Sequence, residues 1–233
     1  MKNRFKLLGN SILKGFLLLF SETFLLFLLL IIALFAFTII TKIAIVDERT
    51  ELDDLFFELI RPFINDKNTA IMVFFTRLGN YQFLLTGNIL LILYFIFIKK
   101  HRWFAVKIPA IALSSLALML FLKSFFDRPR PLMPLLDPAI GLSFPSGHAM
   151  SSVTFYGLLI YISLIYIKNT SLKFLISGFL VFLILMIGLS RVYIRVHYFS
   201  DVIAGFSIGV IWLFCAIKIL NHIELIRNKK QVR

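Results

Sequence analysis

Six apolar runs, each long enough to cross a bilayer as a helix, constrain this chain more than any other feature. A transmembrane helix needs about 20 predominantly apolar residues. The runs Thr23–Val46, Tyr81–Ile98, Trp103–Leu122, Ala149–Ile167, Leu172–Leu189 and Val202–Leu220 meet that requirement. They predict an all-α bundle of six transmembrane helices in a single integral-membrane domain spanning residues 1–233. Of the 233 residues 60% are hydrophobic, against about 45–50% in soluble domains, which excludes an ordinary soluble chain. The first run follows the basic stretch MKNRFK, as a secretion signal would. It is much longer than a signal's apolar region of about 7–15 residues, and no small-residue cleavage site follows cleanly, so a retained anchor is expected. One cysteine, Cys215, allows no intrachain disulfide.

The formal net charge is +13, and the basic residues flank the apolar runs rather than forming one patch. That distribution points to a membrane and not to nucleic acid. Lys2, Arg4, Lys6 and Lys14 precede the first run, and Lys99–Arg102 follow the second. Lys168 and Lys173 bracket the loop after the fourth; Lys218, Arg227, Lys229, Lys230 and Arg233 close the chain. With six spans these all fall on one side, which the positive-inside rule makes the cytoplasm, with both termini there. Residues 47–80, 123–145 and 190–201 fall on the other side. The bias is not clean, because Arg49, Arg61, Lys67 and Arg77 lie in the first of these. Seven of the twelve acidic residues lie between Asp47 and Asp66, with Leu52, Leu55, Phe56, Leu59, Ile60 and Phe63 at helical spacing. An amphipathic helix is expected there, lying in the interface or packed on the bundle. Residues 76–83, TRLGNYQF, read as a break before the second span, with Gly79 and Asn80 as turn residues.

The other two outer segments carry the chemistry. Residues 123–148, KSFFDRPRPLMPLLDPAIGLSFPSGH, hold five of the seven prolines, so a stiff, structured loop is expected. Lys123, Arg128 and Arg130 lie at its start. At its end, Ser146 is placed to cap the following helix, whose first N–H groups would form an anion site. Residues 190–201, SRVYIRVHYFSD, follow the fifth span, where charge is costly to desolvate. His197 and Asp201 are four apart, which on a helix sets them one turn apart on one face. A carboxylate there fixes the imidazole tautomer and leaves the other ring nitrogen free as a nucleophile. Arg191 and Arg195 add cations suited to bidentate phosphate contact. His101 and His222 fall in cytoplasmic segments, whereas His148 and His197 both fall outside. Two imidazoles, a carboxylate and several cations on one face point to phosphoryl transfer, in which positioning and electrostatics carry most of the catalysis.

Three motifs now stand in order. Lys123, Arg130 and Pro131 fit Lys-x6-Arg-Pro. Residues Pro145–His148 are PSGH, and Ser190, Arg191, His197 and Asp201 fit Ser-Arg-x5-His-x3-Asp. Together they resemble the signature of the type 2 phosphatidic acid phosphatase superfamily, with the strong part at Lys123–Asp201 and no departure at a signature position. The resemblance implies an integral-membrane lipid phosphate phosphatase with extracytoplasmic active-site loops and a short interfacial helix. It implies that His197 forms a phosphohistidine and that Asp201 orients it. His148 would protonate the leaving lipid oxygen and then activate water. Lys123, Arg130, Arg191, Ser146 and the Gly147 backbone N–H would hold the phosphoryl oxygens. No metal ion or other cofactor is implied, and no metal-ligand spacing is visible. The implied substrate is a membrane lipid phosphate: undecaprenyl diphosphate or phosphatidylglycerophosphate first, then phosphatidate, with a lipid A phosphate also in the class. The implied partners are that lipid and the bilayer, and no nucleic acid.

Each motif alone has an ordinary reading: a snorkelling Lys123, headgroup-contact arginines, a PSG turn before a helix. Their coincidence favours a site. A non-enzymatic lipid-headgroup binding or transport protein would not require both histidines together with Asp201. The soluble vanadium haloperoxidases of the same superfamily are opposed by the six spans. Arg128 and Arg195 lie outside the signature, and substrate contact by either is open at this level. Asp127 and Asp137 read as loop structure, Glu22 as an interfacial residue, and Pro109 as a kink in the third span.

Overall fold

The structure is a computed structural model that describes residues 24–136 and 139–231. The basic N-terminal residues, Glu22 and Asp137 lie outside the described residues. The helices, in chain order, are α1 (Phe24–Val46), α2 (Glu51–Ile60), α3 (Asp66–Leu78), α4 (Tyr81–Ile98), α5 (Arg102–Phe126), α6 (Gly147–Tyr166), α7 (Thr170–Tyr193) and α8 (Phe199–Gln231). All but α2 and α3 are long and apolar enough to cross a membrane. With the large apolar side chains exposed on α1, α4, α5 and α7, this is a multi-pass membrane protein. The most buried span, α6, packs against α4, α5, α7 and α8.

Local sequence explains the helix ends. Asn65 accepts from the Asn68 N–H at 2.9 Å, and Asn169 from the Leu172 N–H at 3.0 Å. Ser146 accepts from the Ala149 N–H at 3.5 Å and caps α6, as expected. Several spans outrun their expected bounds: α6 begins at Gly147 rather than Ala149, and α7 runs on to Tyr193 rather than Leu189, so Ser190 and Arg191 are on the helix and not in the outer loop. Helix α5 continues one turn beyond Leu122, so Lys123 is on the helix and not in the loop; Asp127 then ends it at φ +48°. Helix α8 begins at Phe199, which places Asp201 in its first turn.

The acidic segment also differs from expectation. Instead of a single amphipathic helix across residues 47–66, α2 stops at Ile60 and a 3-10 turn, Arg61–Phe63, carries Pro62. Asn65 then starts α3, which the sequence reading missed. Helix α2 uses two faces. Leu52, Phe57 and Ile60 pack on the bundle, while Leu55 and Leu59 stay exposed.

The starts of α6 and α8 meet closely: the Ser146 N–H donates to the Asp201 carbonyl at 2.9 Å. Gly205 makes this approach possible, since a Cβ there would lie 2.6 Å from the Ser146 carbonyl oxygen.

Candidate active site

The site assembles where α5 and α7 end and α6 and α8 begin. Helix α7 unwinds after Tyr193. Arg195 takes φ +55°, and the N–H groups of Val196 and His197 both return to the Arg191 carbonyl, at 3.2 and 3.3 Å. His197 therefore sits in a turn, and the shared helical face expected for His197 and Asp201 does not exist. The pair still meets because α8 doubles back at once: His197 Nδ1 is 3.3 Å from Asp201 Oδ2. The Tyr198 N–H donates to the same oxygen at 2.9 Å. The Ser143 hydroxyl donates to it as well, and lies 3.3 Å from His197 Nδ1. His197 is 2% exposed and Asp201 is fully buried.

An ionised carboxylate can only accept, so Nδ1 carries the proton and Nε2 the lone pair. Arg130 Nη1 lies 3.2 Å from that Nε2. Burial pushes the His197 imidazole down to about 4, against the pull of Asp201 and with the push of Arg130 and Arg191. The ring is thus neutral at physiological pH, the state a nucleophile requires.

Lys123, Arg130 and Arg191 lie within electrostatic reach of one another. Arg130 donates to the carbonyls of Gly141 and Val196 at 2.8 Å and of Ile140 at 3.3 Å. Burial lowers its pKa, and Asp201 offsets part of the effect. Lys123 Nζ donates to the Leu142 carbonyl at 2.6 Å and to that of Ser143 at 3.4 Å. Arg191 donates from Nη1 to Thr76 Oγ1 at 2.6 Å, while its buried Nε has no partner among the described residues. Gly147 abuts Lys123: a Cβ there would lie 3.9 Å from Lys123 Cε. His148 Nε2 is 2.8 Å from Asn80 Oδ1, and the ring lies within electrostatic reach of Lys123, Arg130, Arg191 and His197. The fold thus gathers at one end of the bundle all eight residues singled out in the sequence: Lys123, Arg130, Ser146, Gly147, His148, Arg191, His197 and Asp201.

The family model of the PAP2 superfamily matches residues 104–224. The chain belongs to the PAP2 superfamily. It is 30% identical to phosphatidylglycerophosphatase B of Bacillus subtilis (strain 168) over 176 residues, 73% of this chain and 83% of the relative. Among solved structures, it is similar to the first transmembrane PAP2-type phosphatidylglycerolphosphate phosphatase from Bacillus subtilis. The TM-score is 0.72 over 85% of this chain and 96% of that one, a likeness of fold at 23% identity. Aquifex aeolicus LpxE matches with a TM-score of 0.55 and 30% identity over 70% of this chain and 92% of its own. The protein is a membrane phosphatase of the PAP2 type.

Two arginines outside the PAP2 signature find partners of their own. Arg128 donates to Asp201 Oδ1 and Ser200 Oγ at 2.7 Å and to Asp53 Oδ2 at 2.8 Å, and it covers the Tyr198 ring at 4.1 Å. Burial works against its charge, but Asp201 and Asp53 outweigh burial and hold its pKa above the ordinary value. Arg128 holds the Asp201 carboxylate in place. Arg195 turns away and lies over the Phe57 ring at 5.5 Å.

Asp53, Thr76, Asn80, Ser143 and Ser200 were missed by sequence reasoning. A signal existed for Asp53 and for the arginine that binds it. Asp53 shares a helical face with Phe57 and Ile60, a core-facing position where a carboxylate needs a cation. Arg128-Pro129-Arg130-Pro131 is held extended by its prolines, so two guanidiniums reach the same centre. Thr76 and Asn80 give no such signal, because short polar residues in a break between helices read as turn structure.

Proposed function

We propose that this PAP2 protein hydrolyses a phosphomonoester or diphosphate of a membrane lipid at the extracytoplasmic face, through a phosphohistidine on His197. The observation that carries this reading is the orientation of His197. Asp201 accepts a hydrogen bond from Nδ1–H, Ser143 and Arg128 fix Asp201, and Nε2 is turned toward Arg130. In the first step Nε2 attacks phosphorus and the bond to the lipid oxygen breaks, with that oxygen taking a proton from His148. In the second, His148 takes a proton from water, whose oxygen attacks phosphorus and releases phosphate and neutral His197. Lys123, Arg130 and Arg191, with Ser146 and the Gly147 N–H, stabilise the equatorial oxygens. Arriving phosphate takes over the Arg130 and Lys123 donors that otherwise serve the carbonyls of residues 140–143.

An apolar groove of about 320 Å³ between α4, α5 and α6 supports a lipid substrate. Its outer end is formed by Tyr81, next to Asn80, and by Ser151, one turn below His148; Leu85, Pro109 and Leu116 continue it into the bundle. Such a groove suits an acyl or prenyl chain entering sideways from the outer leaflet. Phosphatidylglycerophosphate and undecaprenyl diphosphate are the first substrates to test, the former being named in the relative from Bacillus subtilis; phosphatidate follows. The whole chain, residues 1–233, acts as one domain.

Purified protein assayed against these lipids is expected to release phosphate in excess EDTA, because fixed cations supply the charge a metal would. Vanadate is expected to inhibit by occupying the pentacoordinate state. Acid-labile label from a phosphate-labelled substrate should map to His197, and His197→Ala should abolish both label and turnover. Lipid binding without turnover on any of the panel would return the non-enzymatic reading. Turnover lost to EDTA and restored by added Mg²⁺ or Zn²⁺ would refute the metal-free mechanism.

A further inference from the structure

We propose that Asn80, outside the three signature motifs, is a positioning residue that fixes the tautomer and rotation of His148, so that Nδ1 is the atom that gives and takes the proton. The proposal rests on reading His148 as the general acid and base. The contact is Asn80 Oδ1 to His148 Nε2, 2.8 Å. An amide oxygen only accepts, so Nε2 keeps its hydrogen in every step and the changing proton resides on Nδ1. The same division of labour operates at His197, where Asp201 holds one ring nitrogen and frees the other.

Two further observations support a dedicated role. Asn80 is the N-cap residue of α4, a position that favours asparagine because its side chain can accept from the first turn. Here the side chain makes no capping bond; only the Asn80 carbonyl serves α4, accepting from the Leu84 N–H at 3.0 Å. The amide forgoes its cap and is spent on the histidine. In addition, the turn closes on the same edge of the ring. A Cβ at Gly79 would lie 3.0 Å from His148 Cδ2 and 2.6 Å from Ile187 Cγ2, so only glycine lets Asn80 come this near. The turn is anchored from both sides: the Tyr156 hydroxyl donates to the Leu78 carbonyl at 2.9 Å, and Thr76 Oγ1 accepts from Arg191. One short turn thus orients both His148 and a phosphate-binding arginine.

The test compares leaving groups. Wild type, Asn80→Ala, Asn80→Asp and His148→Ala are assayed in detergent with phosphatidylglycerophosphate, whose alkoxide needs a proton, and with 4-nitrophenyl phosphate, whose phenolate does not. For Asn80→Ala, kcat on the lipid should fall on the order of 10- to 100-fold, a part of the roughly 10²–10⁴-fold that a general acid contributes, with KM nearly unchanged. On the aryl phosphate the burst of nitrophenol should keep its rate, while steady-state turnover slows because phosphohistidine persists. Asn80→Asp keeps an acceptor oxygen and should recover most of the lipid activity. Equal losses on both substrates, or a loss confined to KM, would overturn the proposal. Recovery absent in Asn80→Asp would reverse the tautomer assignment and overturn it as well. A leaving-group split in His148→Ala without one in Asn80→Ala sinks the Asn80 role alone; no split in His148→Ala sinks the general-acid reading and this proposal with it.

Discussion

At the scale of single residues, His197 is held by opposing forces. Burial disfavours its charged form most, the Asp201 carboxylate favours it, and Arg130 and Arg191 disfavour it again, for a pKa of about 4. The sign sets a pH prediction. In the proposed mechanism the neutral ring attacks, so a depressed pKa keeps it available through neutral pH and removes it only as pH falls through about 4. Burst phosphorylation by an aryl phosphate, read by rapid quench, should stay level from pH 7 down to about 5 and fall below that, as expected of an essential base. An unperturbed imidazole would lose half its burst already near pH 6.5, its value in model peptides, and that profile would refute the account. The same shift makes the unfolded chain the better proton acceptor between its ordinary value and about 4, so folding stability should decline as pH falls through that window. Asp201→Asn should lower kcat by up to about 10⁴-fold, the scale measured for the carboxylate of a Ser-His-Asp triad. Lipid binding should persist, because Asp201 contacts the His197 imidazole and is not among the groups proposed to hold phosphate.

At the scale of elements, α2 is fastened to the chemistry by one carboxylate. Asp53, 1% exposed, accepts from Arg128 Nη2 and from the Ser200 N–H and hydroxyl, each at 2.8 Å. Arg128 in turn binds Asp201 Oδ1. The start of α8, the Arg-Pro-Arg-Pro segment and α2 therefore share one buried Asp–Arg–Asp chain. Removing one member of a buried ion pair costs about 3–5 kcal/mol, because the remaining charge stays desolvated. Asp53→Ala should lower the thermal midpoint in detergent by that much stability. It should also lower kcat, since Arg128 is then free to shift Asp201. Asp53→Asn keeps the hydrogen bonds to Ser200 in part and should lose less of both. An Asp53→Ala protein with wild-type stability and turnover would show that α2 only covers the bundle. The exposed face of α2, with Leu55 and Leu59, remains free to meet lipid.

At the scale of the whole molecule, six long helices alternate in direction, so the ends that build the site all lie together. The basic residues between and beyond the spans favour the opposite end as cytoplasmic. In a Cys215→Ala background, an impermeant thiol reagent on intact cells should label Leu132→Cys, where the side chain is 95% exposed. It should not label Arg102→Cys until the cells are opened. Labelling of Arg102→Cys with protection of Leu132→Cys would invert the orientation and move the proposed site to the cytoplasm.

The spans were legible in the sequence because a bilayer admits few alternatives: a long apolar run must satisfy its own backbone groups, and helices do so without help from neighbours. The residues of the three PAP2 motifs were legible for a related reason, since His148, His197, Asp201 and the cations are expensive beside a membrane and need a shared purpose. Tertiary structure decided what each of them touches. The His197–Asp201 spacing suggests a helical face, yet the contact is made across a chain reversal at Arg195. Arg128 reads as a free cation until Asp53, 75 residues away, arrives to bind it. Asn80 reads as a turn residue until the fold brings His148, 68 residues on, within 2.8 Å. Local sequence records the cost of a buried polar group, but its partner is set by how helices pack, and packing joins positions whose separation along the chain leaves no periodic trace.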